Sequence, residues 1–90
     1  MPLTRTGHAD VNIQRQVFAF AMLNGDIRTR FTIGFSVVRD LDQREVMPRQ
    51  MLDQFERQRD KIEGVAQHIF FSRKPQTNEP VALTRENFFG

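Results

Sequence analysis

The sequence predicts a two-layer α+β domain over residues 1–90, an antiparallel β-hairpin sheet of three to four short strands packed on one long helix in the C-terminal half. Three observations predict it. Two alternating apolar and polar runs meet at Asn24-Gly25, and apolar residues from Met51 to Phe70 recur at steps of 3, 4 and 7. Nine Phe with no Trp or Tyr supply rings suited to a single apolar core. A chain of this length buries roughly 60 to 65% of the surface it exposes when unfolded, which allows a thin core. Hydrophobic residues at 39% and charged residues at 27% fall in the globular range rather than the disordered one.

The hairpin is carried by "RQVFAFAMLNGDIRTRFTIGF", in which Asn-Gly is the dipeptide that favours a two-residue type I′ turn. With Asn24 and Gly25 as the loop, Phe18 faces Phe31, Phe20 faces Thr29 and Met22 faces Ile27. One face then collects Phe18, Phe20, Met22, Ile27, Phe31, Ile33 and Phe35, and the other collects Arg15, Val17, Ala19, Ala21, Arg28, Arg30 and Thr32. A three-residue loop splits the aromatic set between the faces, so the even loop is predicted. Beyond the hairpin, "SVVRDLDQREVM" reads as an extension of the second strand through Val38, then a loop. The competing reading is one helical turn capped by Ser36 and carrying Val37, Val38 and Leu41. Residues 1–12 carry no pattern that places them.

Pro48 suits the first turn of a helix. From there Met51, Leu52, Phe55, Ile62, Val65, Ala66, Ile69 and Phe70 describe a helix from about 48 to 71, with Leu52, Phe55, Ile62, Ala66 and Ile69 turned to the sheet. Gly64, on the polar side, costs about 1 kcal/mol relative to Ala without stopping the helix. Phe71 falls on the opposite side of the wheel, and the helix is predicted to end or unwind near it, ahead of Lys74-Pro75. "KPQTNEP" reads as a loop, "VALT" as a short strand and Thr84 as the N-cap of a terminal turn, "RENFF".

The net charge is only +2, and it is spread evenly. Residues 1–47 hold six Arg against five acids, residues 48–72 four basic against four acidic groups, and residues 73–90 three against two, so no basic tail or stripe emerges. Arg outnumbers Lys eleven to two, which suits bidentate recognition of phosphate or carboxylate and equally fits a compositional bias. The absence of Cys removes disulfide frameworks and thiolate metal sites. "MPLTRTGHAD" has no apolar leader and no stretch approaches the ~18 apolar residues of a membrane span, so the expectation is a soluble cytoplasmic protein with no membrane partner.

Motifs that carry chemistry are absent. Ser36 and Ser72 have no neighbouring His motif, His8 and His68 stand in no metal-ligand spacing, and the glycines at 7, 25, 34, 64 and 90 are too scattered to cradle a phosphate. The expectation is therefore no enzyme, no catalytic residue, no metal and no cofactor. Arg15, Arg28 and Arg30 share the outward sheet face and are the candidate nucleic-acid contacts. Every Phe of the hairpin lies on the other side, however, away from where bases would stack. Val17, Ala19 and Ala21 on the same outward face suit a second copy of the sheet equally well. The residues thus favour a non-catalytic interaction module that associates with itself, with any further protein partner unidentified. The alternative is a nucleic-acid-associated accessory protein using Arg15, Arg28 and Arg30.

Taken in order, "VFAFAMLNG" leading into "FTI", then Phe55, Arg59, Ile62, Glu63 and Ala66, then "LTRENF", resemble a small bacterial family known as domain of unknown function 1488. The first dozen residues and the stretch from Arg39 to Met47 depart from it. The resemblance implies a small α+β fold, and it carries over no activity, cofactor or catalytic residue.

Arg59 remains as a candidate ligand-binding or structural arginine. On the helical wheel it lies about 60° from Ile62, at the margin of the apolar arc, where methylenes cover the core while the head reaches water. Glu56 and Glu63 are within helical reach, each pairing being worth about 0.2 to 0.5 kcal/mol. The structural role is favoured, and it makes Arg59→Met nearly neutral.

Overall fold

The computed structural model describes residues 3–7, 9–73 and 80–89. Its sheet has five strands: β1 (Thr4–Arg5), β2 (Asp10–Asn12), β3 (Val17–Asn24), β4 (Ile27–Gly34) and β5 (Val81–Leu83). The helices are α1 (Phe35–Asp42), α2 (Met51–Arg73) and α3 (Arg85–Phe89), and a 3₁₀ turn at Pro48–Gln50 leads into α2. β4 lies on one side of β3, while β1 and β2 pair in succession with its other edge, all antiparallel. β5 runs parallel to β4. The α+β class and the helix-on-sheet plan are those expected, but the sheet is mixed rather than purely antiparallel. The chain returns to β4 only after crossing over through α1 and α2, and a crossover of that kind delivers a parallel neighbour.

The hairpin forms with its register moved by two residues. Asn24 pairs with Ile27, so Gly25 and Asp26 are the loop, Phe20 faces Phe31, Met22 faces Thr29 and Phe18 faces Ile33. Among the loop residues only Gly25 takes a left-handed φ, of 63°, which is the requirement of a type II′ turn rather than the expected type I′. Because the shift is even, the residues within β3 and β4 keep the faces expected of them. The Phe20 and Phe31 rings stack at 5.4 Å, and Phe18 and Phe20 lie 5.1 and 5.5 Å from the Phe55 ring of α2. Phe18, Phe31, Phe55, Ile33, Ile62 and Val38 are fully buried, and a Phe in that set costs about 3 to 5 kcal/mol to truncate to Ala. Ile27 keeps the expected face but is half exposed, because it sits at the hairpin tip.

The segment after β4 is helical, which overturns the expected strand and loop. α1 follows an extended Gly34 with no side-chain cap, so Ser36 is not the cap either. Val37, Val38 and Leu41 all point into the core, and that burial outweighs the strand preference of two adjacent valines. α1 stops where Gln43 turns left-handed and donates its N–H to the Arg39 carbonyl at 2.7 Å.

α2 begins as expected, with Pro48 opening the 3₁₀ turn and the Gln50 side chain accepting the Met47 N–H at 3.2 Å. Phe55, Ile62, Ala66 and Ile69 are buried, but Leu52, expected on the same face, is exposed. Gln54 takes the buried position there, donating to the Arg44 carbonyl at 2.7 Å. The helix passes Phe71, which is exposed, and ends at Arg73. Thr84 precedes α3 as expected, its N–H donating to Asn87 Oδ1 at 2.7 Å. The expected loop at residues 74–80 lies outside the described residues except for Pro80, and so does His8. Among the described residues no helix is long and apolar enough to cross a membrane.

Candidate functional site

The N-terminal edge of the sheet is swollen. Arg5 pairs with Met22 and Asp10 with Ala19, and between those pairs Thr6, Gly7 and Ala9 have only Phe20 and Ala21 opposite them. The main-chain carbonyls of Thr6 and Gly7 lie in this gap of the ladder, and both point at Arg59. Arg59 Nη2 donates to the Thr6 carbonyl at 3.0 Å and to the Gly7 carbonyl at 2.8 Å. Nε donates to Glu63 Oε2 and Nη1 to Glu56 Oε1, both at 2.9 Å, while the guanidinium carbon lies 5.8 Å from the Phe55 ring centroid. The Arg59 side chain is 4% exposed, so its head does not reach water as the wheel suggested. The Thr6 and Gly7 carbonyls, past the end of β1, meet a guanidinium that helical geometry alone leaves at the margin.

Arg5 completes the network. From β1 it holds Glu63 with Nε at 2.9 Å and Nη2 at 2.7 Å, and Nη2 also reaches Asp60 at 2.7 Å. The Glu63 and Asp60 carboxylates hold the Arg5 guanidinium above its ordinary pKa. Glu63 thus sits between two arginines, with one buried and one half exposed. Sequence alone showed Glu56 and Glu63 as neighbours of Arg59, but Arg5 and the two carbonyls belong to an N-terminal stretch with no legible pattern. An open groove of about 710 Å³ runs past this network, with Ala9, Leu52 and Glu56 on its walls.

A second polar cluster ties α1 to α2. Asp42 accepts hydrogen bonds from Arg57 Nη2 at 2.7 Å, Gln58 Nε2 at 3.0 Å and Gln54 Nε2 at 3.3 Å. The Arg57 guanidinium holds the Asp42 carboxyl well below the usual carboxylate range, and the two amides add to this against the cost of burial.

The outward face of the sheet is different in kind. Arg28 and Arg30 project from β4 beside Leu23 and Ala21, and both are exposed. Arg15 does not join them; it lies in the turn between β2 and β3, its N–H donating to Asn12 Oδ1 at 3.0 Å. The expected set of three arginines on one face is therefore two, because β3 starts at Val17, two residues later than a strand through Arg15 requires. Asp10, which sequence reasoning missed, projects from β2 on the same face opposite Ala19. Among the described residues Asp10, Arg28 and Arg30 have no ion-pair partner. Between these charged rims runs the strip Val17, Ala19, Ala21 and Leu23 of β3. Ala21 is 4% exposed yet lies outside the core cluster, on the floor of a shallow hollow of about 150 Å³ bordered by Thr6, Asp10, Arg28 and Arg30.

His68 is exposed on α2, and Ser36 and Ser72 are exposed near element ends. Among the described residues no three His, Asp or Glu side chains gather to hold a metal ion.

The model of the family described as "Protein of unknown function (DUF1488)" matches residues 6–83. The fold is similar to the crystal structure of a protein of unknown function from that family, from Shewanella loihica PV-4, with a TM-score of 0.79 and 18% identity over 91% of each chain. No curated protein matches the chain.

Proposed function

The chain belongs to the DUF1488 family of proteins of unknown function, and from that premise we propose that it is a non-catalytic interaction module that associates with itself through the outward face of its sheet. The observation that carries this reading is the apolar strip Val17, Ala19, Ala21 and Leu23 of β3, on a face to which the described helices contribute no buried side chain. A sheet has two faces, and a two-layer domain covers one of them. Small residues along β3 allow a second sheet to approach, and self-association of one patch closes as a two-fold dimer. Gel filtration with light scattering on the full chain tests it. A mass of two chains at high micromolar concentration is expected, and a strict monomer there overturns the reading.

A second reading rests on Arg28 and Arg30, adjacent on one face and without ion-pair partners among the described residues. Such a pair suits phosphate contacts, though no hairpin Phe shares the face to stack on bases. Retention of a random oligonucleotide at about 50 mM salt, lost in the Arg28→Ala, Arg30→Ala variant, supports it. The absence of retention at that salt removes it.

A further inference from the structure

We infer that the second copy packs on the outward face about a two-fold axis parallel to β3, so that β2 of each copy lies over β4 of the other and Asp10 pairs with Arg30 across the interface. The inference rests on the self-association proposed above and adds its geometry and its charge code. The face is divided by sign: β2 contributes Asp10, β4 contributes Arg28 and Arg30, and β3 between them contributes Val17, Ala19, Ala21 and Leu23.

Two identical sheets stacked with aligned strands have two ways to close as a dimer, because the axis lies in the interface either across the strands or along them. An axis across the strands sets β4 over β4, opposing four arginines with no acid among them. An axis along the strands exchanges the two sides of β3, so each β4 meets the Asp10 of the other copy. Like charges brought together on desolvation repel, and opposite charges at the rim fix register. The charge division therefore selects the axis along the strands.

The distances agree with this choice. Asp10 stands level with Ala19 and Arg30 level with Ala21, two residues apart along β3, an offset of about 7 Å. A long arginine side chain spans that offset while its methylenes lie over the alanine strip. Sheets stack about 10 Å apart, and alanines on both faces allow that approach without displacing bulky groups.

A charge-exchange cycle followed by sedimentation equilibrium at low salt tests the axis, with circular dichroism confirming that each variant is folded. Asp10→Arg and Arg30→Asp are each expected to weaken the dimer by about tenfold or more, and the double variant to recover most of the loss. Asp10→Lys with Arg30→Glu repeats the cycle should either first variant fail to fold. A tighter dimer for Arg30→Asp identifies the axis across the strands and overturns the inference. Single variants that dimerise like the native chain, or a double variant no better than the singles, overturn it too while leaving self-association standing. A monomeric native chain overturns both.

Discussion

Arg59 and Arg30 stand on opposite sides of one sheet. The first is buried and directs four hydrogen bonds at Glu63, Glu56, Thr6 and Gly7; the second is exposed and has no ion-pair partner among the described residues. The difference follows from what covers each face. Under α2 a guanidinium is taken out of water, and it persists there because nearly all its donors meet protein acceptors. On the outward face a guanidinium stays hydrated and its charge remains available to something outside the chain. The Arg59 guanidinium is thus committed to holding β1 and the swollen edge against α2, while Arg30 makes no such commitment within the described chain.

The largest test of this contrast is Arg59→Met. It strands the Thr6 and Gly7 carbonyls and removes one of the two cations on Glu63, so a loss of about 3 to 5 kcal/mol is expected in urea or thermal unfolding. A loss below about 1 kcal/mol would put Arg59 back at a hydrated margin.

Next in size is Asp42→Asn, expected to cost about 1 to 2 kcal/mol at neutral pH, since Asp42 accepts charge-assisted bonds while its partner Arg57 is partly screened by water. Its folded-state pKa lies below the unfolded value, so the native protein binds fewer protons than the unfolded one as pH falls. Its contribution is complete above the ordinary carboxylate range and is lost progressively below about pH 5. Denaturant midpoints between pH 3 and 7 are expected to fall less steeply for the Asn variant than for the native chain.

Thr29→Val is expected to act in the other direction. The Thr29 hydroxyl is fully buried on the inner face and has no hydrogen-bond partner among the described residues, so replacing it by a methyl of the same shape stabilises by about 1 kcal/mol. A destabilised variant in thermal unfolding would mean that the hydroxyl has a partner. The smallest effect belongs to Arg30→Met, within about 0.5 kcal/mol of the native chain below the dimer concentration range. A larger loss there would erase the distinction between the two sides.

Much of the fold is legible in the chain. Alternation around Asn24-Gly25 identifies β3 and β4 and their faces, and the spacing of Phe55, Ile62, Ala66 and Ile69 identifies α2 and its buried side. The exact register is less legible, since Gly25 serves the first central position of one turn type and the second of another. α1 is legible only as the competing reading, a helical turn carrying Val37, Val38 and Leu41, because the two valines also fit a strand locally and burial beside α2 decides between them. The candidate face was half legible: Arg28 and Arg30 follow from hairpin alternation, whereas Asp10 and the displacement of Arg15 depend on where β2 and β3 begin.

The sequence by itself determines which side chains share a face, because periods of 2 and 3.6 residues are properties of a local backbone. Tertiary structure alone decides what each face meets. Thr6 and Gly7 lie more than fifty residues from Arg59 along the chain, and no local pattern encodes a contact that far off. For the same reason Arg59, marginal on the wheel, is buried and bonded in the fold, while Arg30, an ordinary residue of an alternating strand, is left to face outward.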